Sequence, residues 1–462
     1  MVAPTSSAAE LAAAVRAKEV GSVELLDTFL DRIDRLGGPI NAVVTFDAER
    51  AREACRAADE ATARGESHGP LHGLPITIKD AIEVAGVRST GGAVALTDHV
   101  PAADAPVVAR LRAAGAVVFG KTNVPEWSGD LQTYNELFGT TSNPWDVTRA
   151  PGGSSGGPAA AVACGFTSFE IGTDIGGSIR NPSHFCGTWG LKPSYGVVSQ
   201  RGYLDHPLGG TTDADINVFG PMARSANDLA LLLDVVAGPD ADRAPAWRLD
   251  LPAAGVDSLA GLRVGVWFDE PDLPIDSAYR AVLDGAAGAL ADAGAVVSEA
   301  HPAVTFAEQL DAFNRLISAA VCQSMPAELA EAIGGSHHAW LVADRERAAL
   351  RARWAEWFES FDVLLCPVTP SAAFTHRQEG TMFDRVIEVN GGERPYFENV
   401  AWAGVIGVVG LPVCVPPLAP TATGLPVGVQ VVAPFLHDLR AVRVAQLLAE
   451  AAGGGYRVPP GF

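Results

Sequence analysis

The chain has 462 residues, of which 48% are apolar and 19% charged, a composition that is typical of globular proteins and excludes a disordered chain. Its formal net charge of −21 argues against a nucleic-acid backbone or an anionic membrane surface as a partner, because phosphate recognition needs clustered Lys and Arg. The six cysteines form no CxxC pair, so neither a zinc site nor a redox motif is expected.

The predicted elements begin with helices. Residues 6–35 carry apolar side chains at helical spacing and predict two helices, with Ser22 as the cap of the second, and residues 47–64 predict a third. The start of the chain lacks a basic segment followed by an apolar core, so no signal peptide is expected. No run of roughly 18 apolar residues predicts a membrane helix. We therefore expect a cytoplasmic protein.

From residue 74 onward, short apolar runs alternate with helical patterns. Strands are predicted at 74–78, 116–121, 169–173, 261–267, 295–299, 363–366, 412–415 and 427–432. Helices are predicted at 104–114, 158–168, 225–236, 276–294, 304–332, 338–358 and 438–452, with a long structured loop at 120–157 and a polar loop at 376–393. This alternation predicts an α/β fold with one large mixed, mostly parallel β-sheet that helices cover on both faces.

Three segments carry candidate chemistry. They are Ile-Thr-Ile-Lys-Asp at 76–80, Pro-Gly-Gly-Ser-Ser-Gly-Gly at 151–157 and Gly-Thr-Asp-Ile-Gly-Gly-Ser-Ile-Arg at 172–180. A flexible linker does not fit the two glycine-rich turns, because residues 158–171 between them are almost entirely small or apolar. A phosphate cradle does not fit either, since neither P-loop nor dinucleotide spacing is present.

A third alternative is the nucleophile elbow of α/β-hydrolases. Residues 153–157 satisfy its G-x-S-x-G pattern, with Ser155 in the middle. The elbow needs a strand directly before the serine, whereas residues 139–152 contain polar residues and two prolines. The later histidines it would require, His376 and His437, both lie in polar loop contexts. We therefore disfavour this interpretation.

The segment from Gly152 to Arg180, together with Lys79, resembles the amidase signature family. In that family a lysine, a serine in a Gly-Gly-Ser-Ser-Gly-Gly turn and a second serine in Gly-Gly-Ser-Ile-Arg form a catalytic triad. The resemblance thus implies a triad of Lys79, Ser154 and Ser178, and it implies a cis peptide in the first serine turn. Further segments match at 121–126, 143–145, 190–194 and 424–430.

The resemblance implies a single amidase domain over 1–462. We expect N-terminal helices in 1–65, a catalytic core in 66–240, and a C-terminal half in 241–462 that completes the sheet. The stretch 300–360, where the likeness is weakest, is expected to be a variable helical region near the substrate.

The chemistry of amide cleavage explains these residue types. An amide needs an activated nucleophile, a proton shuttle and a stabilised oxyanion. Ser178 is the expected nucleophile, Ser154 the proton relay, and Lys79 the base once burial lowers its pKa. In the glycine-rich turn, residues 175–178 can all point backbone N–H groups to one spot, and we expect Ile175, Gly176 and Gly177 to form the oxyanion hole there.

Other residues are given supporting roles. We expect an ion pair between Asp174 and Arg180 to fix the nucleophile loop, and Ser155 and Thr173 to brace the site. The resemblance implies an acyl pocket at residues 127–130, that is, Trp127, Ser128, Gly129 and Asp130. The histidines near the motifs, His72 and His184, are interpreted as structural.

The family includes glutaminase subunits of tRNA-dependent amidotransferases, fatty-acid amide hydrolases and bacterial amidases. The long acidic stretch 200–221 favours a free-standing enzyme. We therefore expect hydrolysis of a small linear carboxylic amide to a carboxylate plus ammonia or an amine, without cofactor or metal, and leave a homodimer open. The alternative is a glutaminase subunit that feeds ammonia to a partner acting on charged tRNA.

Overall fold

The computed structural model describes residues 2–206, 209–322, 325 and 327–462. Its α-helices are α1 (Ala8–Arg16), α2 (Ser22–Leu36), α3 (Ala48–Ala63), α4 (Pro106–Ala113), α5 (Gly156–Ala163), α6 (Arg180–Cys186), α7 (Ala226–Val236), α8 (Ser277–Asp292), α9 (Phe306–Val321), α10 (Ala327–Gly334), α11 (His337–Trp357), α12 (Ala401–Gly407) and α13 (Asp438–Ala451). Its strands are β1 (Val43–Phe46), β2 (Pro75–Lys79), β3 (Val117–Thr122), β4 (Tyr134–Asn135), β5 (Gly139–Thr140), β6 (Glu170–Asp174), β7 (Trp189–Lys192), β8 (Val218–Ala223), β9 (Arg263–Val266), β10 (Val296–Glu299), β11 (Val363–Cys366), β12 (Val386–Val389), β13 (Gly392–Pro395), β14 (Val413–Val415) and β15 (Gln430–Val432). Single 3₁₀ turns lie at Val94–Leu96, Glu126–Ser128 and Tyr396–Val400.

Within the described residues, the largest sheet has eight strands in the order β10-β9-β11-β15-β14-β7-β8-β6. The predicted large mixed sheet is therefore confirmed. The expectation that it is mostly parallel is wrong, because only the β10–β9 and β9–β11 pairs are parallel and the other five pairs are antiparallel. Buried strands of either kind carry continuous apolar runs, so the pattern alone does not give direction.

Two hydrophobic cores lie on opposite faces of this sheet. On β11, Val363 and Leu365 belong to one core, whereas Leu364 and Cys366 belong to the other. Alternate residues of a strand point to opposite faces, so these two cores are separated by the sheet. The first core includes residues of α7, α8 and α13, and the second includes residues of α9, α11 and α12. Helices thus cover both faces, as predicted.

A smaller sheet carries the lysine motif. Within the described residues, it has three strands in the order β1-β3-β2, and β2 runs parallel to β3. All five residues of β2 are buried, as is every residue of α5, which packs against β2, β3 and β6. A Cβ at Gly157 on α5 would overlap the backbone of Asn123, so the helix can approach this closely only because it is built from small residues. The close packing brings the lysine strand beside the serine turns.

Most predicted helices are present with shifted ends. The second helix is capped by Gly21 rather than by Ser22, which is its first helical residue and donates a hydrogen bond to the carbonyl of Gly73. The helix predicted at 304–332 is present as α9 and α10, and residues 323, 324 and 326 of that stretch lie outside the described residues, as do residues 207 and 208 of the acidic stretch 200–221.

Some elements were not predicted. The strands β1, β7 and β8 and the helices α6 and α12 had no counterpart in the prediction, and the polar loop expected at 376–393 contains part of the hairpin formed by β12 and β13. No helix in the described part of the chain is long and apolar enough to cross a membrane.

Candidate active site

The end of β2 places Lys79 inside the molecule. Its side chain is fully buried, and its amine lies 2.8 Å from the Ser154 hydroxyl, 3.1 Å from the Ser155 hydroxyl and 2.7 Å from the Thr173 hydroxyl. The lysine and first serine of the predicted triad are therefore in hydrogen-bond contact. They come together although 75 residues separate them in the sequence.

The first serine turn leads directly into α5. The peptide bond between Gly153 and Ser154 is cis, as the resemblance implied. Ser155 precedes the helix, and its hydroxyl lies 3.3 Å from both the carbonyl oxygen and the amide nitrogen of Thr173 at the end of β6. Ser155 and Thr173 thus join the first serine turn to β6, and the hydroxyls of both residues contact the lysine amine.

The second serine turn follows β6 and is shaped by a buried ion pair. The Arg180 guanidinium makes a two-pronged contact with Asp174, at 3.0 Å through Nε and 2.7 Å through Nη2, and both side chains are fully buried. The remaining nitrogen of Arg180 donates to the carbonyl of Ala403 and to Gln430 on β15. The predicted ion pair is present, and it ties the nucleophile loop to the C-terminal part of the sheet.

Asp174 also holds the backbone of this loop. Its carboxylate accepts hydrogen bonds from the N–H groups of Gly177 at 2.8 Å and Ile179 at 3.1 Å. The expectation that Gly177 offers a free N–H to the oxyanion hole is therefore not met. Within the described residues, the N–H groups of Ile175, Gly176 and Ser178 have no hydrogen-bond partner. These three groups remain as candidate donors.

The two serine turns lie side by side. The Ser155 N–H donates to the carbonyl of Ser178 at 3.1 Å. Ser178 is 7% exposed, against 1% for Ser154, so it is the more accessible of the two serines. In the described part of the chain the Ser178 hydroxyl makes no hydrogen bond, and the link to Ser154 that a proton relay needs is not formed. Such catalytic hydrogen bonds often tighten only in the complex with substrate.

Burial changes the proton affinity of the lysine. It lowers the pKa of Lys79 to about 7, although the carboxylates of Asp174 and Glu170 act in the opposite direction. Burial alone would raise the pKa of Asp174, but the Arg180 charge lowers it to about 2. At neutral pH a substantial fraction of Lys79 is therefore uncharged while Asp174 is ionised, which is the state a lysine base requires.

Three polar residues around the lysine were missed by the sequence analysis. Burial raises the pKa of Glu170 to about 7, and its carboxylate accepts hydrogen bonds from Thr77 and Thr122. Lys121 is also fully buried and donates to Ser89 and to the carbonyl of Ile82. The Tyr203 hydroxyl lies 3.2 Å from the Thr173 hydroxyl. Lys121 and Glu170 both lie on strands that the sequence predicts to be buried. A charged residue on a buried strand could have marked them as candidate site residues.

The stretch 127–130, predicted to line an acyl pocket, lies beside the first serine turn. Trp127 and Ser128 are half-buried and have the left-handed φ values 51° and 56°, and Gly129 is exposed. The backbone of Asp130 packs against Gly153. Its carboxylate pairs with Arg385 at 2.6 Å and accepts a hydrogen bond from Tyr396 at 2.6 Å, so the side chain is engaged by protein groups.

Both histidines near the motifs occupy structural positions. His72 lies 2.8 Å from the Thr62 hydroxyl and makes no hydrogen bond with the triad in the described residues. His184 lies between the Ser371 carbonyl and the Gly428 backbone, and burial lowers its pKa to about 4. The imidazole of His184 is therefore neutral at physiological pH and serves to join loops.

The chain is similar in sequence to a known protein family and to named relatives. The sequence model of the family described as Amidase matches residues 24–333 and 325–442. A glutamyl-tRNA(Gln) amidotransferase subunit from Heliobacterium modesticaldum is 32% identical, with 98% of this chain and 98% of that protein covered.

Solved structures agree over nearly the whole chain. A structure described as an amidase has a TM-score of 0.82 at 29% identity and covers 97% of this chain and 100% of its own. A bacterial aryl acylamidase of the amidase signature family has a TM-score of 0.84 at 26% identity, with 97% of this chain and 96% of that chain covered.

Proposed function

Because this chain belongs to the amidase family, whose members hydrolyse carbon–nitrogen bonds, we propose that it hydrolyses a carboxylic amide through an acyl-enzyme formed on Ser178. Ser154 relays the proton and Lys79 is the general base. The products are a carboxylate and ammonia or an amine.

The first half of the reaction uses the uncharged amine. The Ser178 oxygen attacks the amide carbon while its proton passes to Ser154, and the Ser154 proton passes to Lys79. The carbonyl oxygen gains negative charge and accepts hydrogen bonds from the N–H groups of Ile175, Gly176 and Ser178. Each well-aimed donor contributes about 3–4 kcal/mol to the stability of such a transition state.

Breaking the carbon–nitrogen bond uses the same protons in reverse. The Lys79 ammonium returns a proton through Ser154 to the leaving nitrogen, which departs as ammonia or an amine and leaves an ester on Ser178. Water then attacks the ester, and one of its protons passes through Ser154 to Lys79. That proton returns to the Ser178 oxygen as the carbon–oxygen bond breaks, and the product acid loses its remaining proton to solvent and leaves as the carboxylate. No net proton is gained or lost by the enzyme.

The observation that carries this proposal is the 2.8 Å contact between the buried Lys79 amine and Ser154, in a turn that lies against the Ser178 turn. Among the described residues, two carboxylates raise the pKa of this buried lysine. They belong to Asp174, which forms an ion pair with Arg180, and to Glu170. Burying an amine costs free energy, and an apolar side chain would fill the same space without that cost, so packing alone does not explain a lysine here. Arg180, Ser155 and Thr173 support the geometry with Asp174. Residues 127–130 are proposed to border the acyl pocket on the side of the first serine turn, where the backbone of Asp130 packs against Gly153.

A second candidate is the glutaminase subunit of a tRNA-dependent amidotransferase. The curated relative from Heliobacterium modesticaldum is a subunit of such an enzyme by name and aligns over nearly its full length, which favours this alternative over the free-standing enzyme. Here the same triad would release ammonia from glutamine, and a partner protein would use it. Whether the chain acts alone or with such a partner is tested by activity without added protein.

The test is ammonia release from a panel of aliphatic, aromatic and amino-acid amides by the purified chain. Ser178→Ala is expected to lower kcat/KM by at least about 10⁴-fold while the melting temperature stays unchanged, since the nucleophile is lost. Ser155→Ala is the comparison variant: its hydroxyl contacts the Lys79 amine but carries no reacting proton, so its loss of activity should be much smaller than that of Ser178→Ala. Equal activity of wild type and Ser178→Ala would refute the assignment, and glutaminase activity that appears only with a partner would establish the second candidate.

A further inference from the structure

The groups that cover the oxyanion loop are apolar. A Cβ built on Gly176 would lie 3.2 Å from the ring of Phe313, 3.5 Å from a methyl group of Ile317 and 3.8 Å from a methyl group of Val400. Phe313 and Ile317 belong to α9, and Val400 ends the 3₁₀ turn before α12. The loop that carries the three candidate oxyanion donors is thus packed against hydrocarbon at Gly176.

Part of this hydrocarbon surface is accessible. Ile175 and Ile317 are only partly buried, whereas Phe313 and Val400 are 0% and 3% exposed. Both isoleucines pack against the core that contains α9 and α12. An acyl chain extending from the carbonyl carbon at Ser178 toward this side would therefore meet aliphatic side chains.

The charged residues of α9 point away from the loop. Glu308 pairs with Arg353, and Asp311 pairs with Arg315, and both carboxylates lie on the exposed side of the helix. The buried residues of the same helix are Phe306, Gln309, Ala312, Phe313 and Leu316. The helix therefore presents an uncharged surface to the nucleophile loop.

The remaining polar groups near the loop are neutral amides or are already paired. The Asn181 side chain borders the loop, since its amide oxygen would lie 2.6 Å from a Cβ placed on Gly177. The amide nitrogen of Asn181 donates to the carbonyl of Asn399. On the side of the first serine turn, the described residues include the cation Arg385. Its nitrogens donate to Asp130, to Tyr134 and to the carbonyls of residues 378–380, so each of them is already engaged by the protein.

We propose that the acyl part of the substrate is an uncharged aliphatic chain that packs on Ile175 and Ile317. This inference rests on the proposed amide hydrolysis and specifies its substrate class. An α-amino acid amide such as glutamine carries an ammonium and a carboxylate, and neither charge would find a free partner on this surface. A buried charge without a partner is disfavoured far more than a missing methylene group.

Three substrates test the inference with the wild-type chain: hexanamide, acetamide and L-glutamine, with kcat/KM measured from released ammonia. Hexanamide is expected to exceed L-glutamine by at least about a hundredfold, because the charged groups of glutamine would stay unpaired. Hexanamide is also expected to exceed acetamide, since its longer chain buries more apolar surface.

A pair of variants locates the acyl surface. Ile317→Ala is expected to lower the ratio of hexanamide to acetamide kcat/KM by about tenfold through loss of apolar contact. Leu310→Ala is the matched control, because Leu310 lies on the same face of α9 about 10 Å away and is also partly buried. That variant should keep the wild-type ratio.

The outcomes separate the two proposals. If L-glutamine is hydrolysed as well as hexanamide or better, the apolar acyl surface is refuted while amide hydrolysis stands. If Ile317→Ala and Leu310→Ala change the ratio equally, the location on α9 is refuted. If none of the three amides nor any other amide is hydrolysed, the proposed function itself fails and this inference fails with it.

Discussion

The Lys79 amine lies 2.7 Å from the Thr173 hydroxyl, as close as it lies to the catalytic candidate Ser154 at 2.8 Å. An uncharged amine has two N–H groups and one lone pair, so three surrounding hydroxyls satisfy it. Thr173 therefore fixes the direction in which the lone pair faces, while taking no part in bond making. The Thr173 contact therefore helps to orient the Lys79 amine.

The first prediction concerns this orientation. Thr173→Val keeps the shape of the side chain and removes its hydroxyl, which takes one hydrogen-bond acceptor from the Lys79 ammonium. We expect kcat to fall by about tenfold or more with little change in KM, within the range for a mispositioned general base. The midpoint of the pH profile should move to lower pH, because the charged amine is stabilised less.

Tyr203→Phe is the comparison for that variant. It removes the hydroxyl that contacts Thr173 but leaves all three hydroxyls around Lys79 in place. Its effect on kcat should be smaller than that of Thr173→Val. A Thr173→Val enzyme with the wild-type rate and pH profile would show that the threonine has no positioning role.

The second prediction is a rise in activity with pH. The pKa of Lys79 is lowered to about 7 by burial, and the lysine must be uncharged to act as a base. The value of kcat/KM should therefore be low at pH 5, rise through about pH 7 and level off above it. The measurement is initial rate at low substrate concentration across this range, with buffers of constant ionic strength.

Glu170→Gln should shift that profile in a defined direction. The Glu170 carboxylate raises the pKa of Lys79, so its replacement by a neutral amide of the same shape should move the midpoint to lower pH. The amide oxygen can still accept from Thr77 and Thr122. The amide nitrogen cannot accept from the Ile171 N–H as the second carboxylate oxygen does, so folding of this variant is checked by circular dichroism. A profile that is flat from pH 5 to 9, or a shift of the midpoint upward, would contradict the role of Lys79.

The third prediction concerns the buried ion pair. Arg180→Met leaves the Asp174 carboxylate buried without its partner, so we expect the free energy of unfolding to fall by about 3–5 kcal/mol. Urea unfolding followed by circular dichroism measures the change.

The same ion pair makes the stability of the wild-type chain depend on pH. Asp174 has a pKa of about 2 in the folded chain and an ordinary value of 3.8. Its contribution to the free energy of unfolding is therefore present above about pH 4 and is lost as the pH falls to 2.

An exposed pair provides the control for Arg180. Arg35 contacts Asp31 at 2.9 Å, but the two side chains are 61% and 64% exposed. Solvent screens such pairs, and Arg35→Met should change stability much less than Arg180→Met. Equal effects of the two substitutions would mean that the buried pair does not hold the nucleophile loop.

The sequence predicted the parts of the site that depend on local chemistry. A short apolar run ending in Lys79 predicts a buried strand with a lysine at its end, and the structure has that strand as β2. Asp174 and Arg180 are six residues apart around a glycine-rich turn, so their pairing could be expected from the local sequence. The hydrogen bond of Gly177 to Asp174 could not, because it depends on how the turn closes around the carboxylate.

Elements that are buried on all sides escaped prediction. The residues of α12 are Ala-Trp-Ala-Gly-Val-Ile-Gly, and every one is buried, so the helix has no polar face to reveal its period. Strand β8 contains Gly220 and Pro221, which are residues that usually argue against a strand. The contact of Gly176 with α9 joins segments more than 130 positions apart, and no local pattern encodes such a contact.

The hydrogen bond from Arg180 to Gln430 has a consequence for how the protein is made. Lys79 is synthesised early, but Gln430, which accepts a hydrogen bond from Arg180, is added to the chain 250 residues after that arginine. A nascent polypeptide on the ribosome therefore completes this site only after β15 has left the exit tunnel. Truncated translation products that end before β15 should consequently be inactive.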